Sequence, residues 1–258
     1  MKKKYSYEKK VLLSAAQAAS KVLMSYFLKN PKITVKKNKT LVSEADMAAN
    51  KAIIKEIKKS FPNHNIISEE SQYENNNSDF TWIMDPLDGT HNFLRGIPIF
   101  GTSIALKHKN EIVLGAIYMP VLGIRMVAEK GKGAYANGKK LEVSKNRELE
   151  HSFLLFEFAV THRKKKLAVF ERMIEKRFDL RNFGAAVYHL YLVASGQSEA
   201  YIIYHTNEWD VAAGLLMITE AGGKYTGIDS KAADSTTGHY IASNGKIHSK
   251  LAEFLKKH

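Results

Sequence analysis

The sequence predicts an α/β or α+β sandwich, with helices layered against mixed β-sheets. Three observations carry that class. Amphipathic stretches of helical period open and close the chain, a run of strand-like segments with tight turns fills its centre, and strand and helix patterns alternate again towards the C-terminus. The 258 residues are 45% hydrophobic and 25% charged, enough apolar material for a sizeable core. We expect one domain over 1–258, with an N-terminal α+β half (about 1–148) and a C-terminal α/β half (about 149–258), dividing near Asn146–Ser152.

The first helix is expected over Tyr7–Lys29. Lysines precede its apolar stretch as in a signal peptide, but Lys9, Lys10, Gln17 and Lys21 recur with helical period and no uninterrupted apolar core follows. A second helix starts at "SEADMAANKAIIKEIKKSF", with Ser43 at the N-cap and Asp46 three residues on, a capping-box-like pair. Pro62 and Asn63 end it. "HNIISEES" reads as a strand running into acids, "QYENNNSD" as a polar loop, and "FTWIM" as the next strand. Then "IFGTSIALKH", "EIVLGAIYMP", "GIRMVAEK" and "GAYANGKKLEVS" form an antiparallel meander with Lys-Asn and Gly turns. After the strand "HSFLLFEF", helices are expected at "LAVFERMIEKRF", "AAVYHLYLVAS", "VAAGLLMITEAGG" and "GKIHSKLAEFLKK".

Composition narrows the function. With no cysteine, disulfides and thiolate metal sites are excluded, which fits a cytoplasmic protein. No apolar run reaches membrane-spanning length. The formal charge of +13 invites an RNA or polymerase partner, yet the basic residues are mostly lysines spread along the chain, as on a solvated surface. Only "KKNK" and "HRKKK" cluster.

Acids gather where strands end or helices begin: Glu69 and Glu70 in "ISEES", Asp85 and Asp88 in "MDPLDGT", and Asp210 in "EWDVAAG". Strand ends are where open α/β sheets collect ligands. A tight turn at Asp85–Asp88, stiffened by Pro86, presents both carboxylates to one small volume and frees the Leu87 carbonyl as a further oxygen ligand. Hard cations such as Mg²⁺ take such donors. Gly89 and Thr90 follow at a short helix start, where unpaired N–H groups attract phosphate. Cation on one side and anion on the other suits metal-assisted phosphoryl transfer to water. Each acidic stretch alone has a plainer reading, as solvated loop, ordinary turn or helix-dipole partner. His91 is a side chain beside the site, and His189 lies on an apolar helix face and packs or hydrogen-bonds in the core.

These motifs resemble a known family. "WIMDPLDGTHNF" and "WDVAAGLLMITEAGG" look like the two signatures of the inositol monophosphatase family of Mg²⁺-dependent, lithium-sensitive phosphatases, with "LVSEAD" and "SEES" in order upstream and "GKGAYANGKKLEVS" between. The resemblance runs from about Leu12 to Lys250. It implies a five-layered αβαβα sandwich, a homodimer, two to three Mg²⁺ ions, and hydrolysis of a small phosphorylated metabolite, by default inositol monophosphate, through in-line attack of a metal-activated water. It further implies that Glu69, Asp85 and the Leu87 carbonyl hold one ion, and that Asp85, Asp88 and Asp210 hold a second. A third, weaker ion would share Glu69. Glu69 and Thr90 would activate the water, Asp46 would support Thr90 from behind, and the Gly89 and Thr90 N–H groups would hold phosphate. Ala186 would touch the alcohol, alongside Asp88 and Asp210, and Lys36 would match a basic residue of a flexible loop.

Several positions depart from the family pattern. Ile203 stands where an acidic residue commonly binds inositol hydroxyls, Asn207 precedes "EWD", Ser68 replaces a usual Gly, and Thr40 a frequent Asp. The alternatives in the same class are therefore a 3′(2′),5′-bisphosphate nucleotidase and a histidinol-phosphate or sugar-bisphosphate phosphatase. The rival from another class is a regulatory RNA- or transcription-associated protein of the same fold.

Overall fold

The computed structural model describes residues 4–29, 31–35, 41–157 and 163–256. Lys36 and Thr40 lie outside them. Val11, Leu12, Ala15, Ala16, Ala19 and Leu23 recur at helical spacing and form the buried face of helix α1, Ser6–Tyr26. It stops short of the expected end because Phe27 (φ −58°, ψ 131°) turns to extended backbone. Two three-residue strands that the sequence did not suggest follow: β1 (Ile33–Val35) pairs antiparallel with β2 (Leu41–Ser43). Helix α2, Glu44–Ser60, begins at the expected capping box: the Ser43 side chain accepts from Ala45 N–H, while Asp46 takes the Ser43 N–H.

The first sheet has eight strands, β3 (Asn65–Ser68), β4 (Ser71–Glu74), β5 (Phe80–Asp88), β6 (Gly101–His108), β7 (Glu111–Met119), β8 (Ile124–Glu129), β9 (Ala134–Ala136) and β10 (Lys139–Lys140), in the order β10-β9-β8-β7-β6-β5-β3-β4. The expected meander is β6 to β10. β4 corrects the expected loop: it is an edge strand, half-exposed, so its polar composition concealed it. β3 and β5 run parallel, whereas β5 and β6 run antiparallel. A short helix, α3 (Thr90–Leu94), follows β5.

The second sheet contains β11 (Phe153–Phe156), β12 (Asp179–Arg181), β13 (Ala200–Ile203), β14 (Lys224–Gly227) and β15 (Tyr240–Ser243), ordered β12-β11-β13-β15-β14. Helices α4 (Arg163–Glu175), α5 (Ala186–Ala194), α6 (Glu208–Glu220) and α7 (His248–Lys256) alternate with these strands. α1 and α2 cover one face of the first sheet, α5 and α6 fill the space between the sheets, and α4 and α7 lie against the second. The layering is αβαβα, as the resemblance implied.

Strand alternation divides the core accordingly. Trp82 and Met84 of β5 pack under α1 and α2, while Ile83 points into the central layer; Tyr201 and Ile203 of β13 face that layer and Ala200 and Ile202 face away. α6 is buried all round from Val211 to Ile218, as a helix between two sheets must be. Its crossing with α5 is close: a Cβ on Gly214 would lie 2.7 Å from the Leu190 Cβ and 2.3 Å from Cδ1.

Gly214→Ala gains up to about 1 kcal/mol of helix propensity and loses about 1–3 kcal/mol by overpacking. We therefore expect a lower melting temperature. An unchanged or higher one would refute the close crossing.

Candidate active site

The expected acidic turn is a bulge inside a strand. Asp85 lies opposite Ser103 and Asp88 opposite Gly101, so three steps along β5 match two along β6. Residues three apart on a regular strand point to opposite faces. The extra residue restores the phase, and both carboxylates return to one side. The Thr102 hydroxyl fixes the bulge by donating to the Pro86 carbonyl (2.9 Å), and the Leu87 N–H donates to Asp85 Oδ1 (2.9 Å). Gly89 then takes φ +83° with Ile99 O only 2.9 Å from where a Cβ would sit, so glycine alone fits this exit.

Glu69 follows β3, whose parallel alignment carries it beside the end of β5; its N–H donates to the Met84 carbonyl (3.2 Å). Asp210 sits in the first turn of α6, where its Oδ2 accepts from Asn207 N–H and the Thr206 hydroxyl, each at 2.8 Å. Carboxylate oxygens of Glu69, Asp85 and Asp210 all lie within 4.8 Å of one another. Asp88 stands outside that trio and reaches the N-terminus of α5, accepting from Val187 N–H at 2.7 Å.

Behind the acids, the Thr90 hydroxyl lies within donating reach of the Leu87 carbonyl (3.1 Å) and Asp46 Oδ1 (3.3 Å), while Asp46 Oδ2 accepts from Ser43 N–H at 2.8 Å. Ser68 donates to Asn50 Oδ1 (2.8 Å). His91 is exposed on α3, near Arg95.

Burial dominates the electrostatics. It pushes Asp85 well above the usual carboxylate range, and Glu69, Asp88 and Asp210 push it further. Burial raises Asp88 to about 7 against the opposing Val187 N–H bond, and raises Asp210 to about 6. None of Asp85, Asp88 and Asp210 forms an ion pair with a cationic side chain among the described residues. Hard oxygen donors crowded without a protein cation suit a small divalent ion, which would replace the protons.

A cleft of about 250 Å³ opens beside Asp88 and Asp210, and Ala186 lines it as expected. His189 lines it too. Its Nε2 accepts from Phe183 N–H (2.8 Å), so its proton sits on Nδ1, and burial lowers its pKa to about 3, keeping it neutral. Ile203 is 1% exposed in the central core and does not line the cleft. The further carboxylate that lines the cleft, besides Asp88 and Asp210, is Glu157, just after β11. The sequence carried the same signal there as at Glu69, an acid closing an apolar strand, but it was not singled out.

The model of the inositol monophosphatase family matches residues 5–258. The chain belongs to that family. This family member, a phosphomonoester hydrolase by class, is 36% identical over 219 residues to a Thermotoga maritima protein named fructose-1,6-bisphosphatase/inositol-1-monophosphatase, covering 85% of this chain and 84% of that one. It is 33% identical over 253 residues to the Nus factor SuhB of Pasteurella multocida, covering 96% and 94%. Among solved structures, an IMPase/NADP phosphatase complexed with Mg²⁺ and phosphate superposes with a TM-score of 0.88 at 25% identity, covering 99% and 97% of the two chains. No helix among the described residues is long and apolar enough to cross a membrane.

Folded-state pKa values of about 7 and about 6, above the ordinary 3.8, mean that the folded protein keeps protons the unfolded chain has released. Their contribution to stability is complete below the ordinary value and is lost as pH rises through the folded ones. A divalent cation held by these acids would replace those protons, so the rise in melting temperature that Mg²⁺ gives over EDTA should grow with pH across this window. A Mg²⁺ effect that is flat or shrinks with pH would contradict this account.

Proposed function

We propose that this protein is a Mg²⁺-dependent phosphomonoesterase of small phosphorylated metabolites, with inositol monophosphate the default substrate. One observation carries the reading: Glu69, Asp85 and Asp210 converge within 4.8 Å, with Asp88 at the edge of an open cleft. Glu69, Asp85 and the Leu87 carbonyl would hold one Mg²⁺, and Asp85, Asp88 and Asp210 a second, with Glu69 shared by a third. Bound Mg²⁺ supplies charge neutralisation on the phosphoryl oxygens and a lowered pKa for water. The Mg²⁺ and phosphate held by the solved relative support this assignment.

The chain's own groups do the rest. Asp46 orients the Thr90 hydroxyl, and Thr90 with Glu69 positions the attacking water, whose proton passes to Glu69. Gly89 and Thr90 N–H groups hold the phosphate. The P–O bond to the ester oxygen breaks opposite the attack, the departing alkoxide takes a proton from water in the open cleft, and the alcohol leaves past Ala186 and Glu157. We assign the protein to the cytoplasm as a lithium-sensitive homodimer. The Thermotoga relative's name supports a sugar bisphosphate as a second substrate. The Nus factor relative and the +13 charge favour a second reading, association with RNA or the transcription machinery.

A phosphate-release screen over inositol, fructose, nucleotide, histidinol and glycerol phosphates tests the enzyme. Activity should require Mg²⁺ and fall in Li⁺ but not in matched Na⁺. Asp88→Asn should fold and lose more than about 100-fold in kcat, since even groups behind a ligand set cost about 10–100-fold. Near wild-type turnover in this variant would sink the two-ion assignment. A silent screen, with salt-dependent RNA binding kept by Asp88→Asn, would favour the second reading.

Recognition of the alcohol has its own test. Glu157→Gln should lower kcat/KM for inositol monophosphate by about 10- to 100-fold and leave glycerol 2-phosphate nearly unchanged, one charge-assisted hydrogen bond contributing about 1.5–3 kcal/mol. Equal losses on both substrates would mean that Glu157 does not read the alcohol.

A further inference from the structure

A second cleft lies between α1 and the β7–β8 hairpin. At about 470 Å³ it is larger than the cleft beside Asp88, and none of the candidate metal ligands lines it. Its size is that of ordinary small-molecule sites. Lys21 and Arg125 line it, and neither forms an ion pair with an acid among the described residues, whereas Lys9 and Lys107 find Glu129 and Glu208. Arg125 lies over the Tyr118 ring, 5.9 Å from its centroid. Stacking orients a guanidinium and leaves its N–H fork able to grip an anion.

Ser20 lines the same cleft. It is only 5% exposed, and its hydroxyl has no hydrogen-bond partner among the described residues. A helical serine ordinarily satisfies itself on a carbonyl of the preceding turn. A buried hydroxyl left unpaired is costly, and a bound oxygen would remove that cost. Met24 and Ile124 add apolar wall.

We propose that this cleft is a second ligand site, which takes a small phosphorylated organic molecule. Its phosphate dianion is held between Lys21 and Arg125, and an oxygen of its carbon skeleton accepts from the Ser20 hydroxyl. Two unpaired cations match a dianion better than a carboxylate. The proposal stands whether or not the protein proves to be a phosphatase.

The test uses the full chain in excess EDTA, so that no Mg²⁺ draws phosphate to the other cleft. Titration with glycerol 2-phosphate, followed by calorimetry, should show saturable binding, retained by Asp88→Asn. A Lys21→Met/Arg125→Met double variant, with unchanged melting temperature and Mg²⁺-dependent activity, should bind at least about tenfold more weakly, because two charge-assisted contacts are removed. Ser20→Ala should weaken binding severalfold. Glycerate, the carboxylate arm, should bind more weakly than glycerol 2-phosphate. Absence of saturable binding, full binding by the double variant, loss in Asp88→Asn, or equal affinity for glycerate would each overturn the proposal. So would a changed oligomeric state in the double variant with phosphate binding kept, which would make the cleft a subunit contact.

Discussion

Like charges crowded out of water set the terms for the rest of this molecule. At 4.8 Å, one pair of carboxylates repels by roughly 3–4 kcal/mol at an effective dielectric of about 20. Three such pairs together reach roughly 10 kcal/mol, comparable to the whole stability of an ordinary domain. Without a cation the folded chain answers by keeping protons on Asp85, Asp88 and Asp210, whose pKa values burial raises first and the neighbouring carboxylates raise further. On the proposed reading, a cation-binding site and a proton-binding site are here the same object, for which pH and Mg²⁺ would compete.

The architecture bears that load by placing positive backbone ends against the acids. Asp88 meets the N-terminus of α5 and Asp210 occupies the first turn of α6, so each carboxylate receives N–H donors and the favourable end of a helix dipole. Asp85 receives the Leu87 N–H of the bulge, while burial, with Glu69, Asp88 and Asp210 behind it, carries its pKa well above the usual carboxylate range. The helices sit between the sheets because both their faces are apolar, and the same fact aims their N-termini at the end of β5. Core packing and charge placement are thus solved by the same two helices.

Much of this was legible from residues alone. The capping box at Ser43 and Asp46, the meander and the four acids all announce themselves through local spacing. What stayed hidden depends on partners distant in the chain. The Asp85–Asp88 bulge is visible only against the register of β6, and nothing in "DPLD" separates it from a turn. Strands of three residues, such as β1 and β2, carry too few side chains for a period. The resemblance sets Ile203 where an acid commonly meets the alcohol, yet β13 packs it into the central core, and the acid that lines the cleft, Glu157, lies 53 positions before Asp210 in the chain.

The contact of Gly214 with Leu190 locks α5 to α6, and with them the helix ends that grip Asp88 and Asp210. The opposite wall of the cleft, with Glu157 and His205, comes from the segments that follow β11 and β13 and stands apart from that crossing. The two halves of the cleft are therefore unequally free to drift over generations. Substitutions on that wall leave the helix crossing untouched, whereas a change at the crossing disturbs Asp88 and Asp210 together. Such a scaffold can exchange one phosphate ester for another while its hydrolytic apparatus stands still, and closely related chains can part company in what they act upon long before they part in shape.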